Sequence, residues 1–281
     1  LPLLLPLLAP PLARPAPGSF EVMAADIGQG TAVLVRTREH LLVYDAGPRY
    51  SAEADAAQRV LLPLLRSRGE RYIDLLMLSH SDTDHVGGAA SLRAQLPVRA
   101  LSSSLPQGHV LLRDGVPHRR CLVGQAWDWD GVRFDVLHPL PGDYAQASRP
   151  NALSCVLRVQ TGDGRSLLLT GDIEAAQEAA LVERVGAALR SDVLLVPHHG
   201  SRTSSSGVFL DAVAPQVALV QAGYRSRFGH PAPDVLARYG ARSIAVVRTD
   251  RCGAWTWRDG EATCERERGR RYWHWAPPSG D

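Results

Sequence analysis

Two histidines and two aspartates follow a short apolar run within one six-residue segment of this chain. The apolar run is Leu75–Leu78, and the four side chains are His80, Asp82, Asp84 and His85. The pattern predicts a buried strand that ends in a tight turn and opens a helix. Four ligand-capable side chains at one strand end are costly to bury unless each has a partner. A divalent metal ion, or a pair of them, is the simplest common partner, so the segment constrains both fold and chemistry.

Composition sets broad limits on what the chain can be. Its 281 residues are 45% apolar, which is enough for a sizeable core in one large domain or in one domain with a small appendage. Lysine and arginine (31) nearly balance aspartate and glutamate (29), and a net charge of +2 does not by itself indicate a nucleic-acid-binding protein. Residues 1–12 are apolar but too short and too rich in proline for a complete membrane helix. Either the end of a membrane-spanning region or a disordered arm accounts for them.

The four cysteines fall into two groups. Cys121 and Cys155 are isolated in apolar surroundings, which predicts buried structural thiols. Cys252 and Cys264 flank a segment that predicts a hairpin turning at Asp259-Gly260. A disulfide across that hairpin would place the domain in an oxidising compartment, although the sequence does not establish the bridge.

Short apolar runs alternate with amphipathic stretches from residue 20 onward. The predicted strands span 20–25, 32–36, 41–44, 75–78, 132–137, 153–159, 166–169, 193–196, 217–221 and 244–247. The predicted helices span 52–66, with Ser51 as the N-cap, 87–95, 173–184 and 233–239. Two β-rich halves with helices predict an α/β (α+β) fold, a four-layer αββα sandwich. The polar motifs all follow strand ends, where open α/β architectures assemble their sites.

Two later motifs have the same arrangement as the first. Thr170-Gly171-Asp172 follows an apolar strand, and Asp172 alone would be typical of a helix N-cap. Together with the first motif, its carboxylate is better interpreted as a bridge between two cations. His198 and His199 follow another apolar strand, and adjacent side chains diverge. We therefore expect one of them to bind metal and the other to face the substrate, with surface histidines of no special role as the alternative.

Together these motifs resemble the metallo-β-lactamase superfamily in its HxDxDH variant, at residues 80–85, 170–172 and 198–201. Residues 26–30, Asp-Ile-Gly-Gln-Gly, resemble the DVGQGD opening of the ComEC family of DNA-uptake proteins, and residues 228–231, Phe-Gly-His-Pro, resemble that family's late histidine motif. The resemblance implies a metallo-β-lactamase-like sandwich that forms a soluble C-terminal domain of a polytopic membrane protein. It also implies a metal-dependent nuclease that acts on the DNA strand that is not imported.

The resemblance covers nearly the whole chain and suggests its organisation. We expect an apolar, proline-rich remnant and linker at 1–18, a hydrolase domain at 19–275 and a tail at 276–281. The implied location is the periplasmic or extracellular face of the bacterial inner membrane. The implied partners are DNA, the membrane channel part of the same full-length protein and other competence proteins, with no small-molecule organic cofactor. The arginine- and aromatic-rich end, 266–275, suits single-stranded nucleic acid or a solvated charged strand.

Residue by residue, the resemblance implies a site for two divalent ions, Mn²⁺ or Zn²⁺. The implied metal ligands are His80 and Asp82 for one ion, Asp84 and His85 for the other, Asp172 as the bridge and His199 as the last ligand. Superfamily hydrolases usually add one more histidine before the bridging aspartate, and Asn151 stands there instead. Its carbonyl oxygen is a weaker ligand that suits manganese or magnesium better than zinc, so one ion is expected to bind loosely.

Further roles are expected around this site. The catalytic residues are expected to be Asp84, His198 and His230. Substrate is expected to bind Ser201, Arg202, Arg225 and Arg227, since the three arginines lie beside the late motifs. The family's opening usually has an acidic residue where this chain has Thr31. The residues expected to orient the ligands are therefore Asp26, Asp45 and Ser154.

Two other functions remain open at this stage. One is a small-molecule metallohydrolase, such as a lactonase, thioesterase or phosphorylcholine esterase, although such enzymes usually favour the extra histidine that this chain lacks. The other is a non-catalytic module that guides DNA and keeps its metals only as vestiges. The complete ligand sets at all three motifs argue against full loss of activity.

Overall fold

The computed structural model describes residues 14–113, 115–146 and 149–269. The strands are β1 Glu21–Ala24, β2 Val33–Arg36, β3 Leu41–Tyr44, β4 Ile73–Leu78, β5 Val98–Ser103, β6 His118–Arg120, β7 Ala126–Trp129, β8 Val132–His138, β9 Val156–Thr161, β10 Ser166–Leu169, β11 Val193–Leu195, β12 Val217–Val220, β13 Ala245–Arg248, β14 Trp255–Arg258 and β15 Glu261–Cys264. The helices are α1 Leu62–Ser67, α2 Thr83–Val86, α3 Ala89–Gln95, α4 Asp143–Gln146, α5 Ala175–Val185, α6 Gly207–Val213, α7 Pro233–Gly240, α8 Thr249–Cys252 and α9 Glu265–Arg268. Two short 3₁₀ turns, Pro150–Leu153 and Pro197–Gly200, matter for the site described below.

The strands form two sheets. The first has the order β15-β14-β1-β2-β3-β4-β5-β6, and the second has the order β13-β12-β11-β10-β9-β8-β7. Strands β3 to β6 are parallel in the first sheet, and β10 to β13 are parallel in the second. The remaining pairings in both sheets are antiparallel. Each sheet therefore has one parallel half, in which successive strands end at the same edge.

Three apolar clusters define the layers. One lies between the sheets and includes Val22 and Tyr44 from the first sheet with Phe134 and Leu169 from the second. Another covers the outer face of the first sheet, beneath α1 and α3. A third covers the outer face of the second sheet, beneath α5, α6 and α7. The predicted four-layer αββα sandwich is confirmed.

Several predicted boundaries differ from the structure. The helix predicted from residue 52 begins with a π-helical segment, Ala57–Leu61, that continues into α1, because the amides of Tyr50 and Ser51 donate to the Ala54 carbonyl in a turn. Ser51 is therefore not the N-cap, and Asp55 accepts the Gln58 amide instead. The strand predicted from residue 153 begins at Val156, after the Pro150–Leu153 turn. Strands β5, β6 and β7 and helix α6 were not predicted.

The cysteines correct one prediction and confirm another. Cys252 and Cys264 are bonded across the β14–β15 hairpin. Cys121 and Cys155 were predicted as free structural thiols, but they are bonded to each other. Cys121 follows β6 of the first sheet, and Cys155 precedes β9 of the second, so this bond joins the two sheets.

The ends of the chain are only partly described. Of the predicted linker, Arg14 accepts a hydrogen bond from Arg258 through its carbonyl, and the Gly18 amide donates to Asp130. Residues 14–18 therefore contact the domain. The predicted remnant at 1–13, most of the predicted arginine- and aromatic-rich end and the tail at 276–281 lie outside the described residues. In the described part of the chain, none of the helices has the length and apolar character needed to cross a bilayer.

Candidate metal centre

The candidate site lies where the parallel strands of both sheets end. His80 to His85 follow β4, and Asp45 follows the neighbouring β3. In the second sheet, Asp172 follows β10, and His198 and His199 follow β11. Because the two sheets pack face to face with these edges together, side chains from both sheets meet across the sandwich.

Four side chains form the tightest group. The ligand atoms of Asp84, His85, Asp172 and His199 all lie within 4.8 Å of one another. His85 Nε2 lies 3.1 Å from Asp172 Oδ1, and His199 Nε2 lies 3.3 Å from Asp84 Oδ2. His199 Nε2 is also 3.6 Å from Asp172 Oδ2. Two imidazoles and two carboxylates at this spacing match the donor set of a divalent transition-metal ion.

A second, looser group shares the Asp172 carboxylate. His80 Nε2 lies 3.6 Å from Asp82 Oδ2 and 3.9 Å from Asp172 Oδ2. His198 Nε2 lies 3.7 Å from the same Asp172 oxygen, which His199 Nε2 of the tight group also approaches. Asp172 therefore belongs to both groups, as a bridging ligand would. Neither Asp82 nor Asp172 acts as a helix cap, since Asp82 makes no capping hydrogen bond and Glu174 caps α5.

The state of the imidazole nitrogens tests whether a metal fits here. The Nε2 atoms of His80, His85 and His199 are all buried, and none has a hydrogen-bond partner among the described residues. Buried polar atoms are normally satisfied, so three unsatisfied nitrogens around one carboxylate call for an explanation. Metal ions bound between these nitrogens and the carboxylates satisfy all three. The residues present therefore fit a divalent metal centre.

The opposite nitrogens of two of these histidines are held by buried partners. Asp45 Oδ2 lies 2.7 Å from His85 Nδ1, which fixes the ring so that Nε2 faces Asp172. Ser79 donates to Asp45 from both its amide and its hydroxyl, at 2.7 Å each. The same hydroxyl lies 2.9 Å from His80 Nδ1. A carboxylate that orients a ligating histidine in this way fixes its tautomer and raises its basicity.

Ser154 and Gln221 complete this supporting layer. Ser154 Oγ accepts the Asp172 amide at 3.0 Å and lies 3.3 Å from His80 Nδ1. The Gln221 carbonyl accepts a hydrogen bond from His199 Nδ1 at 2.9 Å. The predicted orienting residues Asp45 and Ser154 therefore lie in contact with predicted ligands. Ser79 and Gln221 were missed, although each lies at the end of an apolar strand.

The backbone is strained at the same places. Asp45, His198 and His199 have positive φ values of 60°, 50° and 53°, a region that non-glycine residues seldom adopt. Such conformations cost roughly 1–3 kcal/mol each and are concentrated at functional sites. They occur where the Asp45 carboxylate contacts His85 and where the two adjacent histidines bring Nε2 to 3.7 and 3.6 Å from Asp172 Oδ2.

The loop formed by residues 26–30 supports Asp84 through its backbone. The Thr31 amide donates to the Asp84 carbonyl at 3.1 Å. Gly30 has φ +134°, and a Cβ placed there would collide with that carbonyl oxygen. Asp26 itself does not orient a ligand as predicted, because its carboxylate forms an ion pair with Arg266 at 2.7 Å. The opening motif therefore acts through Gly30 rather than through Asp26.

Mutual attraction sets the charges in the tight group. Burial alone would lower the pKa of His85, but the carboxylates of Asp172 and Asp45 raise it well above its usual value. Burial likewise lowers the pKa of His199, but the carboxylates of Asp172 and Asp84 raise it above its usual value. Conversely, burial would raise the pKa of Asp172, but His85 and His199 hold it well below its usual range. The pKa of Asp84 is likewise held low by His199 and His85 against the effect of burial. The carboxylates of Asp172 and Asp84 are therefore both ionised and can bind a cation.

The open side of the site carries neutral imidazoles. Burial lowers the pKa of His198, and burial with the neighbouring His199 and His198 lowers that of His230 to about 4. The His198 and His230 rings lie 5.8 Å apart, and His198 Nδ1 contacts Thr203 Oγ1 at 3.2 Å. Asn151 Nδ2 lies 3.5 Å from His198 Nε2, so Asn151 contacts this open side rather than the tight group.

The predicted substrate-binding residues lie in loops around this opening. Ser201 Oγ contacts Thr203, and Arg202 is exposed and lies 3.4 Å from Asp234. Arg225 and Arg227 are exposed beside the aromatic rings of Tyr224 and Phe228, respectively. Phe228 in turn stacks on His230 at 5.9 Å. This loop therefore presents cationic and aromatic surface next to His230.

Comparisons with known proteins agree with this site. A family model described as the metallo-beta-lactamase superfamily matches residues 25–224. Competence protein ComA of Neisseria gonorrhoeae is 41% identical over 229 residues, which cover 82% of this chain and 31% of that protein. ComE operon protein 3 of Bacillus subtilis is 33% identical over 256 residues, which cover 83% of this chain and 32% of that protein. The chain thus spans about a third of the length of these curated relatives.

A solved structure shows the same fold. Igni18, a metallo hydrolase from the archaeon Ignicoccus hospitalis, superposes with a TM-score of 0.56 at 15% identity, covering 84% of this chain and 98% of that one. At this identity the likeness concerns the fold alone. With the family match and the competence-protein relatives, it gives one conclusion: the chain belongs to the metallo-β-lactamase superfamily and matches the metallo-β-lactamase domain of the ComEC family.

Proposed function

We propose that this chain is a metal-dependent nuclease domain that hydrolyses phosphodiester bonds of DNA during natural transformation and degrades the strand that is not imported. The observation that carries the proposal is the pair of ligand groups that share the Asp172 carboxylate, with unsatisfied buried imidazole nitrogens beside it. Two adjacent cation sites with an opening toward solvent are the arrangement used to clamp a phosphodiester. The competence proteins among the relatives support DNA as the substrate.

The two ions we propose are Mn²⁺ or Zn²⁺, bound with unequal affinity. The tighter site has Asp84, His85, Asp172 and His199. The looser site has His80, Asp82 and the shared Asp172, with His198 or Asn151 at its open side. When bound, such ions supply Lewis-acid stabilisation and an activated water.

The protein's own groups would position the substrate. An uncharged imidazole has one N–H that can donate to a phosphate oxygen and one nitrogen that can accept a proton. His198 and His230 are uncharged at neutral pH because of their lowered pKa values, so donation to a phosphate oxygen fits them better than the role of a charged acid. Asp84 keeps its carboxylate ionised beside His199, at the edge of the opening. Arg225, Arg227 and Arg202 would hold neighbouring phosphates, and Ser201 would support the His198 loop.

The proposed setting is the periplasmic or extracellular face of the inner membrane. Two disulfides support it, because such bonds persist in oxidising compartments and are rare in the cytosol. The relatives are about three times as long as this chain, so we propose that the rest of a longer protein forms the DNA channel. DNA and other competence proteins are the proposed partners.

The direct test is cleavage of labelled single- and double-stranded DNA with and without Mn²⁺. A double variant, Asp84→Ala His85→Ala, removes two ligands of the tight site. Asp163→Ala is a matched control, since Asp163 is an exposed residue in the β9–β10 turn, at the opposite end of β10 from Asp172. We expect metal-dependent cleavage by the wild type and the control, and a loss of at least 100-fold in the double variant.

Two outcomes would reject the proposal. DNA binding without cleavage under any divalent metal would favour a guiding module. Hydrolysis of a lactone or thioester with no action on DNA would favour a small-molecule hydrolase. In either case the metal centre would remain, but it would not hydrolyse DNA.

A further inference from the structure

A cavity opens beside the looser half of the metal centre. Its volume is about 530 Å³, which is large enough for a nucleotide. Its polar lining residues are Ser81, Ser104, Gln107, Arg120, Tyr144 and Arg149. The lining contains two guanidinium groups and no carboxylate, so the cavity is suited to an anion.

The two arginines are available to a ligand. Neither Arg120 nor Arg149 forms an ion pair with a carboxylate in the described part of the chain, whereas Arg99, Arg133 and Arg242 do. The Arg120 guanidinium lies 4.5 Å from the centre of the Tyr144 ring, which holds it against the cavity wall. Burial raises the pKa of the Tyr144 phenol, which stays protonated and donates to the Cys121 carbonyl at 2.8 Å.

The cavity shares its walls with the metal centre. Ser81 lies between His80 and Asp82 in the chain, so one wall is the metal-binding turn itself. Pro150 and Leu153, which also line the cavity, belong to the 3₁₀ turn that carries Asn151. A ligand in the cavity therefore lies immediately beside the group bound at the looser metal site.

We propose that this cavity binds the nucleotide next to the scissile bond, with its backbone phosphate between Arg120 and Arg149. The inference rests on the proposed nuclease function for the identity of the strand. It adds a phosphate subsite to the one proposed for the loop of Arg225 and Arg227. Two such subsites would hold the strand at more than one phosphate while the metal centre cuts it.

The test measures binding of a fluorescent single-stranded oligonucleotide by fluorescence anisotropy. EDTA is present so that no strand is cut. Arg149→Gln removes the exposed guanidinium, and Arg149→Lys keeps its charge. The matched control is Arg190→Gln, because Arg190 is exposed just before β11, at the end of that strand opposite to His198. We expect Arg149→Gln to weaken binding about tenfold, the loss typical of one charge-assisted contact.

The salt dependence separates a phosphate contact from a structural effect. Loss of one contact should reduce the slope of log affinity against log salt by about 0.7 for a single strand. Arg149→Lys should keep the slope. Equal affinity and slope in Arg149→Gln and Arg190→Gln, or no binding by the wild type, would overturn the inference. Arg149-dependent binding without cleavage in Mn²⁺ would leave this subsite standing and reject the nuclease proposal instead.

Discussion

Gly30 is the residue with the sharpest steric requirement beside the metal centre. Its φ of +134° is rare for residues with a side chain, and a Cβ would collide with the Asp84 carbonyl. We predict that Gly30→Ala lowers Mn²⁺ affinity about tenfold, because the added methyl group displaces Asp84. A tenfold loss is at the lower end of the range for changes in groups that support a metal ligand. Calorimetric titration of the folded variant measures this directly.

Gly28 in the same loop is the matched control. It also has a positive φ, +75°, but a Cβ there would meet no atom within 4 Å. Gly28→Ala should therefore cost only backbone strain, about 1 kcal/mol of stability, and leave metal affinity unchanged. Equal metal affinity in the two variants would show that contact with Asp84 is not what the glycine provides.

Cys121–Cys155 is the element-scale feature that connects the two sheets near the site. The two bonded cysteines are 34 residues apart in the chain, whereas Cys252 and Cys264 are 12 residues apart. Chain-entropy estimates give losses of about 4 and about 3 kcal/mol on removal, respectively. We predict that replacing Cys121 and Cys155 by serine lowers stability in urea and also weakens metal binding, because the Cys155 amide donates to the carbonyl of Ser79, next to His80.

The Cys252–Cys264 disulfide of the hairpin serves as the control for the Cys121–Cys155 disulfide. Cys252, at the end of α8 just before β14, is bonded to Cys264 of β15, and these two strands form the edge of the first sheet away from β4. Replacement of these two cysteines should reduce stability with little change in metal affinity. If both pairs of substitutions affected metal binding alike, the bond between the sheets would have no specific role in shaping the site.

How far the sequence predicts these elements depends on the range of the contacts involved. The metal-binding turn after β4 was predictable because an apolar run and its polar ending are adjacent in the chain. The pairing of Cys121 with Cys155 was not, since it depends on which strands of two separate sheets come together. Strand β6, His118–Arg120, is short, polar and at a sheet edge, so it lacks the apolar alternation that reveals a strand.

The difference between local and long-range contacts also decides how much of the candidate site was predictable. The ligand types were predictable from local motifs, and the structure brings them together. The direction of the Asp26 carboxylate was not predictable, because a motif does not show where a side chain points, and here it pairs with Arg266. Ser79 and Gln221 act through a hydroxyl and a backbone carbonyl, which local sequence patterns do not distinguish from ordinary strand ends.

At the scale of the whole molecule, the centre exists only when both sheets are packed. His80, Asp84 and His85 come from the first sheet, whereas Asp172 and His199 come from the second. Metal ions that bind only the packed state stabilise it by mass action. If two ions bind as proposed, the unequal ligand groups that share Asp172 would give them different affinities.

Titration of the metal-free chain with Mn²⁺ by calorimetry tests this central claim most directly. We predict two binding events of unequal affinity in the wild type, both weakened in Asp172→Asn, because the two ligand groups share this carboxylate. Asp163→Asn, in the β9–β10 turn, should behave like the wild type. Absence of binding in the wild type, or unchanged binding in Asp172→Asn, would contradict the account of a dinuclear centre bridged by Asp172.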